Sequence, residues 1–289
     1  MAASSSRTLL RPRVLLVGIG GPTCSGKTTL AKHLVSLLTP PSPSSPSSSS
    51  SSSSPSPPLR TFIIHQDDFC PPESKLVWNE RVGSADWDDP DTSVDWPRLR
   101  HAVKHVREHG ELPKGHSSHD ALNVQRETTV ANEIRVRYQQ RLKDVAAKIA
   151  QGGEGGLVVA FLDGFLLYHD DEVRQQMDVR LFLRIGRDLL RERREARGGY
   201  VTAEGETWKD PPLYFDEILW PSHLKAHARL FQGGDVESGQ TTEEARDIHI
   251  VEAQEPPGKG EPTSMDDVVA EGCEVLLAAL EKMAAREAA

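Results

Sequence analysis

A chain of 289 residues, 37% hydrophobic and 27% charged, can bury a proper core as one large α/β domain or two small ones. A net charge of −9 argues against a nucleic-acid-binding surface, and no apolar run approaches the length of a bilayer span. The cysteines Cys24, Cys70 and Cys273 have neither metal nor disulfide spacing, which fits a reducing compartment: the cytoplasm, with nuclear access open.

Residues 1–12 contain Ser and Arg and no acid, and read as a flexible terminus. The apolar run Val14–Ile19 then predicts a buried strand. Behind it, Gly21-Pro22-Thr23-Cys24-Ser25-Gly26-Lys27-Thr28 matches the phosphate-cradling pattern GxxxxGK(S/T) in full. Thr29–Leu38, apolar at 30, 31, 34, 35, 37 and 38, predicts the helix that must follow. Strand, glycine-rich turn and helix together make a mechanism: the glycines let successive N–H groups face phosphate oxygens, and the helix start adds positive potential. Lys27 would reach the outer phosphates and the Thr28 hydroxyl would ligate Mg²⁺. The chain is expected to bind a nucleoside triphosphate.

Residues 40–58 are almost pure Ser and Pro and read as a disordered loop inserted inside one domain spanning 13–289. Thr61–His65 predicts the second strand, and Gln66-Asp67-Asp68-Phe69 follows at its carboxyl end, where ligands of an open parallel sheet bind. A carboxylate there can take the proton of an attacking hydroxyl and help hold the metal. In Ala85–Asp91, Trp87 offers a flat face for a ring and Asp88 offers acceptors for a ribose diol. Gly115–His119 has too few ligands for a metal and reads as a polar loop.

Helices are predicted over 94–109 and 128–151, and a buried strand over 156–162 that ends in Asp163, a second Mg²⁺-site acid. The strand 179–185 leads into an arginine-rich helix over 187–197. Bidentate guanidinium groups suit phosphate, so Arg193, Arg194 and Arg197 are expected to form a small lid near 187–200, with Arg184, Arg187 and Arg191 completing the run. A short strand at 248–251 and a helix over 265–285 close the chain. Strands alternating with helices predict a parallel sheet covered on both faces.

With these residues in hand, the chain resembles the nicotinamide riboside kinases of the uridine-kinase-like group of phosphate-loop kinases. The matching pieces are the loop 21–29, Gln66–Phe69 with Pro72-Glu73-Ser74, Leu162–Tyr168, Arg193-Arg194 with Arg197, and Tyr214-Phe215-Asp216 with Trp220-Pro221. The resemblance implies a five-stranded parallel sheet, ATP and Mg²⁺, and transfer of the γ-phosphoryl group to the 5′-hydroxyl of nicotinamide riboside for NAD synthesis. Nicotinic acid riboside stays open as a second substrate. By position it implies that Gly21, Pro22, Thr23, Cys24, Ser25, Gly26, Lys27, Thr28, Thr29, Arg193 and Arg197 hold the nucleotide. Asp67 would be the proton acceptor, with Lys27 as its catalytic companion, and Thr28, Asp67 and Asp163 would hold the metal. Asp67, Asp68, Phe69, Cys70, Trp87, Asp88, Arg194 and Tyr200 would meet the substrate. Asp163 stands where the family has a glutamate, and residues 201–213 and 232–263 receive no role. Uridine/cytidine kinase is the alternative within this class. A nucleotide-dependent switch is the alternative outside it, without the NKxD element of guanine-specific switches, as is a non-catalytic nucleotide-binding protein.

Overall fold

The computed structural model describes residues 11–39, 59–120, 129–152, 155–197, 199–201, 207–253 and 263–288; the expectations for residues 1–10 and for the Ser/Pro stretch at 40–58 fall outside them. Strand β1 (Arg13–Gly20) runs into helix α1 (Lys27–Leu38) through the glycine-rich turn. Gly26 starts the helix at φ 101°, and Gly21, at φ 135°, lies so near the Leu183 carbonyl that a Cβ would sit 2.5 Å from its oxygen. Side chains fit neither position.

Strand β2 (Leu59–His65) ends in a 3₁₀ turn over Gln66–Phe69, and a small hairpin follows, β3 (Trp78–Asn79) with β4 (Ser84–Ala85). Helix α2 (Trp96–His109) is capped by Asp95, whose carboxylate accepts from the Arg98 N–H at 3.1 Å, and stops at left-handed Gly110. Helix α3 (Asn132–Gln151), strand β5 (Leu157–Gly164), helix α4 (Asp171–Gln175), strand β6 (Val179–Arg184) and helix α5 (Arg187–Ala196) come next. A second hairpin, β7 (Tyr200–Val201) with β8 (Thr207–Trp208), precedes a π-helical turn over Phe215–Leu219 that leads into helix α6 (Trp220–His227). Strand β9 (His249–Glu252) and helix α7 (Met265–Ala288) complete the chain.

The five long strands form one sheet in the order β2-β5-β1-β6-β9, parallel at every pairing, as the alternation of elements predicts. Side chains alternate across it with the period of two that a strand imposes. Leu15, Val17 and Ile19 of β1 pack with Leu157, Val159 and Phe161 of β5 among residues of α1, α3 and α7. Leu16, Val158, Ala160 and Leu162 pack on the opposite face against Leu99, Val103 and Val106 of α2. Both faces are buried, which is why β1 and β5 read as continuous apolar runs.

Glycines in β1 make room for a ring. The Tyr168 hydroxyl donates to the carbonyls of Gly18 (3.1 Å) and Leu181 (2.7 Å), and a Cβ on Gly20 would fall 2.5 Å from a ring carbon. Two hydrogen bonds and full burial keep that ring from swinging away. Gly20→Ala is therefore expected to destabilise the protein by about 1–3 kcal/mol and to lower Tm by several degrees. An unchanged Tm in a thermal melt would show that the ring yields.

Candidate functional site

The parallel register sets three strand ends side by side. Asp163 of β5 lies opposite Ile19 of β1 on one side and opposite His65 of β2 on the other. The Thr28 hydroxyl, in the first turn of α1, donates to Asp163 Oδ2, and His65 Nδ1 meets the same oxygen at 3.3 Å. Asp120 adds a second acid to His65 at 3.9 Å and pairs with Lys32 at 2.7 Å. Lys27 is buried and folds back so that its Nζ donates to the Pro22 carbonyl at 2.8 Å.

The charges explain one another. Burial lowers the Lys27 pKa despite the nearby carboxylates of Asp163 and Asp67. Burial would raise that of Asp163, but His65, Lys27 and the Thr28 hydroxyl outweigh it and hold the carboxylate below its ordinary range. For His65, burial is outweighed by Asp163, Asp120 and Asp67, which raise its pKa. The ionised carboxylate of Asp163, the Thr28 hydroxyl and the acid at Asp67 are oxygen donors, whose chemistry would suit Mg²⁺. No group of three His, Cys, Asp or Glu side chains among the described residues forms a metal cage. Mg²⁺ needs none, because it binds through one or two carboxylates plus phosphate oxygens.

The Gln66–Phe69 turn is tied down from beneath. Gln66 Oε1 accepts from the Leu166 N–H at 2.9 Å, and Gly164 leaves the space, since a Cβ there would lie 2.5 Å from that oxygen. Asp68 is buried and accepts from the His119 backbone N–H at 3.1 Å, with His119 Nδ1 at 2.6 Å and His116 Nε2 at 3.4 Å. Phe69 is 1% exposed, stacked under His116 at 5.3 Å between centroids, with the Arg98 guanidinium over its ring. The polar loop expected at 115–119 is thus a clamp on Asp68. Asp68 and Phe69, which the sequence assigns to the substrate pocket, are both buried here against His116, His119 and Arg98. Cys70 is half-buried, and burial, with Asp67 and Asp88 nearby, pushes its thiol well up.

Asp88 lines a small cleft with Pro22, Thr23, Phe165, Leu166, Leu219 and His223. The Tyr214 hydroxyl donates to Asp88 Oδ2 at 2.8 Å and accepts from the Trp87 backbone N–H at 3.2 Å. Trp208 stands edge-on to both Trp87 (6.1 Å) and Tyr214 (5.7 Å) and donates its indole N–H to Asp210 at 3.0 Å. The Trp87 indole nitrogen is itself buried without a hydrogen-bond partner among the described residues. Burial pushes the Asp88 pKa up to about 6, against the pull of Arg194 and Tyr214.

The arginine run divides in two. Arg194 forks onto Asp210 at 2.8 and 2.9 Å and donates to Thr23 Oγ1 at 3.0 Å, while Arg193 reaches the Cys24 carbonyl at 3.4 Å. Arg197 ends α5 within electrostatic reach of Lys27. These are the three arginines the sequence assigns to a lid; Arg193 and Arg194 reach the phosphate loop, and Arg197 acts on its lysine through charge. Arg187 and Arg191 bind Asp216 instead, the former at 2.5 Å, and Arg184 forks onto Glu252. Tyr200 lies in β7 opposite Trp208, and its side chain is outside the described residues. Sequence reasoning missed Tyr214, Trp208 and Asp210 as parts of this wall. The motif containing Tyr214 was legible, but its contact with Asp88 spans 126 positions.

A phosphate loop between β1 and α1, on a doubly covered parallel sheet with carboxylates at the neighbouring strand ends, defines a phosphate-loop kinase. No protein-family model matches the chain. It is 32% identical over 224 residues to the nicotinamide riboside kinase of Schizosaccharomyces pombe, covering 78% of this chain and 84% of the relative. It is 30% identical over 239 residues to that of Eremothecium gossypii, covering 81% and 85%. Uridine-cytidine kinase B of Dictyostelium discoideum is more distant, at 24% over 230 residues, covering 76% and 75%. The chain belongs to the nicotinamide riboside kinase family. No described helix is long and apolar enough to cross a membrane.

Because folding raises the Asp88 pKa from 3.8 to about 6, the folded state holds that proton more tightly than the unfolded chain does. The resulting destabilisation is absent below the unfolded value, grows as pH rises, and is complete above about 6, where it amounts to roughly 3 kcal/mol. Asp88→Asn is therefore expected to raise Tm at neutral pH, with the gain shrinking on acidification to about pH 4. A lower Tm at neutral pH would show that Tyr214 and Arg194 fully compensate the buried charge.

Proposed function

We propose that the chain transfers the γ-phosphoryl group of ATP to the 5′-hydroxyl of nicotinamide riboside. The observation that carries this reading is the meeting of Asp88 with Pro22 and Thr23 of the phosphate loop, in a chain related over about four-fifths of its length to enzymes of that name. An apolar-walled cleft with a few placed polar groups suits the sugar of a nucleoside. The aromatic wall of Trp87 and Trp208 suits its ring.

In this reading the backbone N–H groups of 21–28 hold the ATP phosphates, and Lys27 swings from the Pro22 carbonyl to the transferring group. Arg193 and Arg197 belong to the nucleotide side of the lid and Arg194 to the substrate side, where it already touches Thr23 and faces Asp88. Asp88 holds the ribose, and Asp67 takes the proton of the 5′-hydroxyl as its oxygen bonds to phosphorus and ADP leaves. Asp67 is placed for this by Gln66 and by the clamp on Asp68. Thr28, Asp163 and Asp67 would hold Mg²⁺, which neutralises charge on the phosphates when bound. Catalysis of this kind is positioning plus charge neutralisation, and the chain supplies both. The free thiols of Cys24, Cys70 and Cys273 suit a site of action in the reducing cytoplasm or nucleus.

The test is ATP-dependent phosphorylation of nicotinamide riboside beside uridine and cytidine. Strong preference for nicotinamide riboside, abolished by a chelator of divalent cations, is expected; preference for the pyrimidine nucleosides would overturn the substrate assignment. Asp67→Asn is expected to lower kcat by about 10²–10⁴-fold with ATP affinity largely preserved. Turnover within a few-fold of the parent enzyme would remove Asp67 as the base.

A further inference from the structure

His223 lines the cleft that holds Asp88, and nothing in the proposed reaction yet uses it. It sits on the first turn of α6, 6% exposed, packed among the rings of Trp220 (5.4 Å), His227 (4.6 Å) and Phe182 (6.5 Å). Those rings fix its orientation. Neither ring nitrogen has a hydrogen-bond partner among the described residues, and Nδ1 is sealed from solvent. The imidazole therefore meets the cleft through its other edge, which carries Nε2.

A buried polar group without a partner is costly, and an apolar side chain of similar volume would occupy the place without that cost. His227 on the next turn differs in that its Nδ1 donates to the His223 carbonyl at 3.0 Å and it does not line the cleft; its Nε2 is buried without a partner among the described residues, and burial lowers its pKa to about 3. For His223, burial, followed by His227 and Lys27, depresses the pKa well below the ordinary value, so the ring is neutral. A neutral imidazole has one N–H donor and one acceptor, and a hydroxyl, which can both donate and accept, satisfies either tautomer.

The rest of the cleft narrows the choice of ligand. Phe165, Leu166, Leu219 and Pro22 are apolar, and the Thr23 hydroxyl is engaged by Arg194. Tyr214 occupies Asp88 Oδ2, so Asp88 Oδ1 and the His223 ring are the polar groups left facing the space. The space these residues enclose is small, so it takes one part of a nucleoside and not the whole.

We propose that His223 reads the sugar: its imidazole hydrogen-bonds a hydroxyl of the same ribose ring that Asp88 holds. The proposal rests on the assignment of this cleft to a nucleoside and makes His223 a specificity-determining residue for ribosides over deoxyribosides. Bound substrate then gives a hydrogen-bond partner to Nε2, the edge that meets the cleft, while Nδ1 stays sealed.

The test compares the parent enzyme, His223→Phe and His223→Asn on nicotinamide riboside and on its 2′-deoxy and 3′-deoxy analogues. His223→Phe keeps an aromatic ring of somewhat larger volume and removes the hydrogen bond. It is expected to raise KM for the riboside about tenfold, with kcat and the KM for ATP nearly unchanged. The penalty should vanish on the deoxy analogue that lacks the hydroxyl in question. The parent enzyme should itself bind that analogue about tenfold more weakly than the riboside. An unchanged KM, or an equal loss on the riboside and both analogues, would overturn the proposal. If His223→Phe does not fold, the parent's analogue profile and His223→Asn decide: parent KM values equal for all three ligands overturn it. Should the parent enzyme use uridine and not nicotinamide riboside, the substrate assignment falls alone, and the same comparison with uridine and its deoxy analogues still tests His223.

Discussion

Everything at this site depends on three strand ends being flush. Parallel hydrogen bonding locks β2, β5 and β1 in register, so His65, Asp163 and Ile19 share one row across the sheet. The phosphate loop leaves β1 from that row, and the first turn of α1 returns the Thr28 hydroxyl to Asp163. A shift of one residue in β5 would turn Asp163 to the other face of the sheet and remove the acid from the loop. Buried Lys27 and Asp163 reinforce the arrangement. Removing either would leave the other buried at the strand ends with less compensating charge.

Around that row the chain uses paired charges to hold irregular segments where hydrogen-bonded ladders are absent. Asp210 and Asp216 fix α5 to the segment before α6, and Glu252 fixes β6 to β9 through Arg184. Arg194 matters most, because one fork joins Asp210, Thr23 of the phosphate loop and the field of Asp88. A planar guanidinium can make those contacts together, which a lysine ammonium could not. The clamp on Asp68 works in the same way: two imidazoles and a backbone N–H surround one carboxylate, and the turn carrying Asp67 is held with it.

The legible parts of the sequence were those governed by local periodicity or local strain. β1 and β5 are buried on both faces and appear as apolar runs; α1 shows its buried stripe at Leu30, Leu34 and Leu37; Gly21 and Gly26 mark backbone that other residues cannot adopt. The loop, the acid ends at Asp67 and Asp163, and the gathering of Arg193 and Arg194 at the loop follow from these signals. The hairpins β3–β4 and β7–β8 were not foreseen, because two-residue strands carry no period. The π-helical turn at Phe215–Leu219 was equally silent, although it sets the start of α6 and hence the position of His223.

By itself the sequence determined the strand–loop–helix unit, the alternation that yields a parallel sheet, and the residue types able to bind phosphate and accept a proton. Those are properties of neighbouring residues, and the chain declares them within a few positions. Only the tertiary structure decided that Asp68 faces His116 and His119, that Tyr214 and Trp208 wall the Asp88 cleft, and that Arg187 and Arg191 serve Asp216. The long-range partners are chosen by which strand ends and loops the sheet order brings together, and burial then changes the chemistry of what meets there. Asp88, an ordinary carboxylate in the sequence, titrates near 6 only because the folded chain takes it out of water.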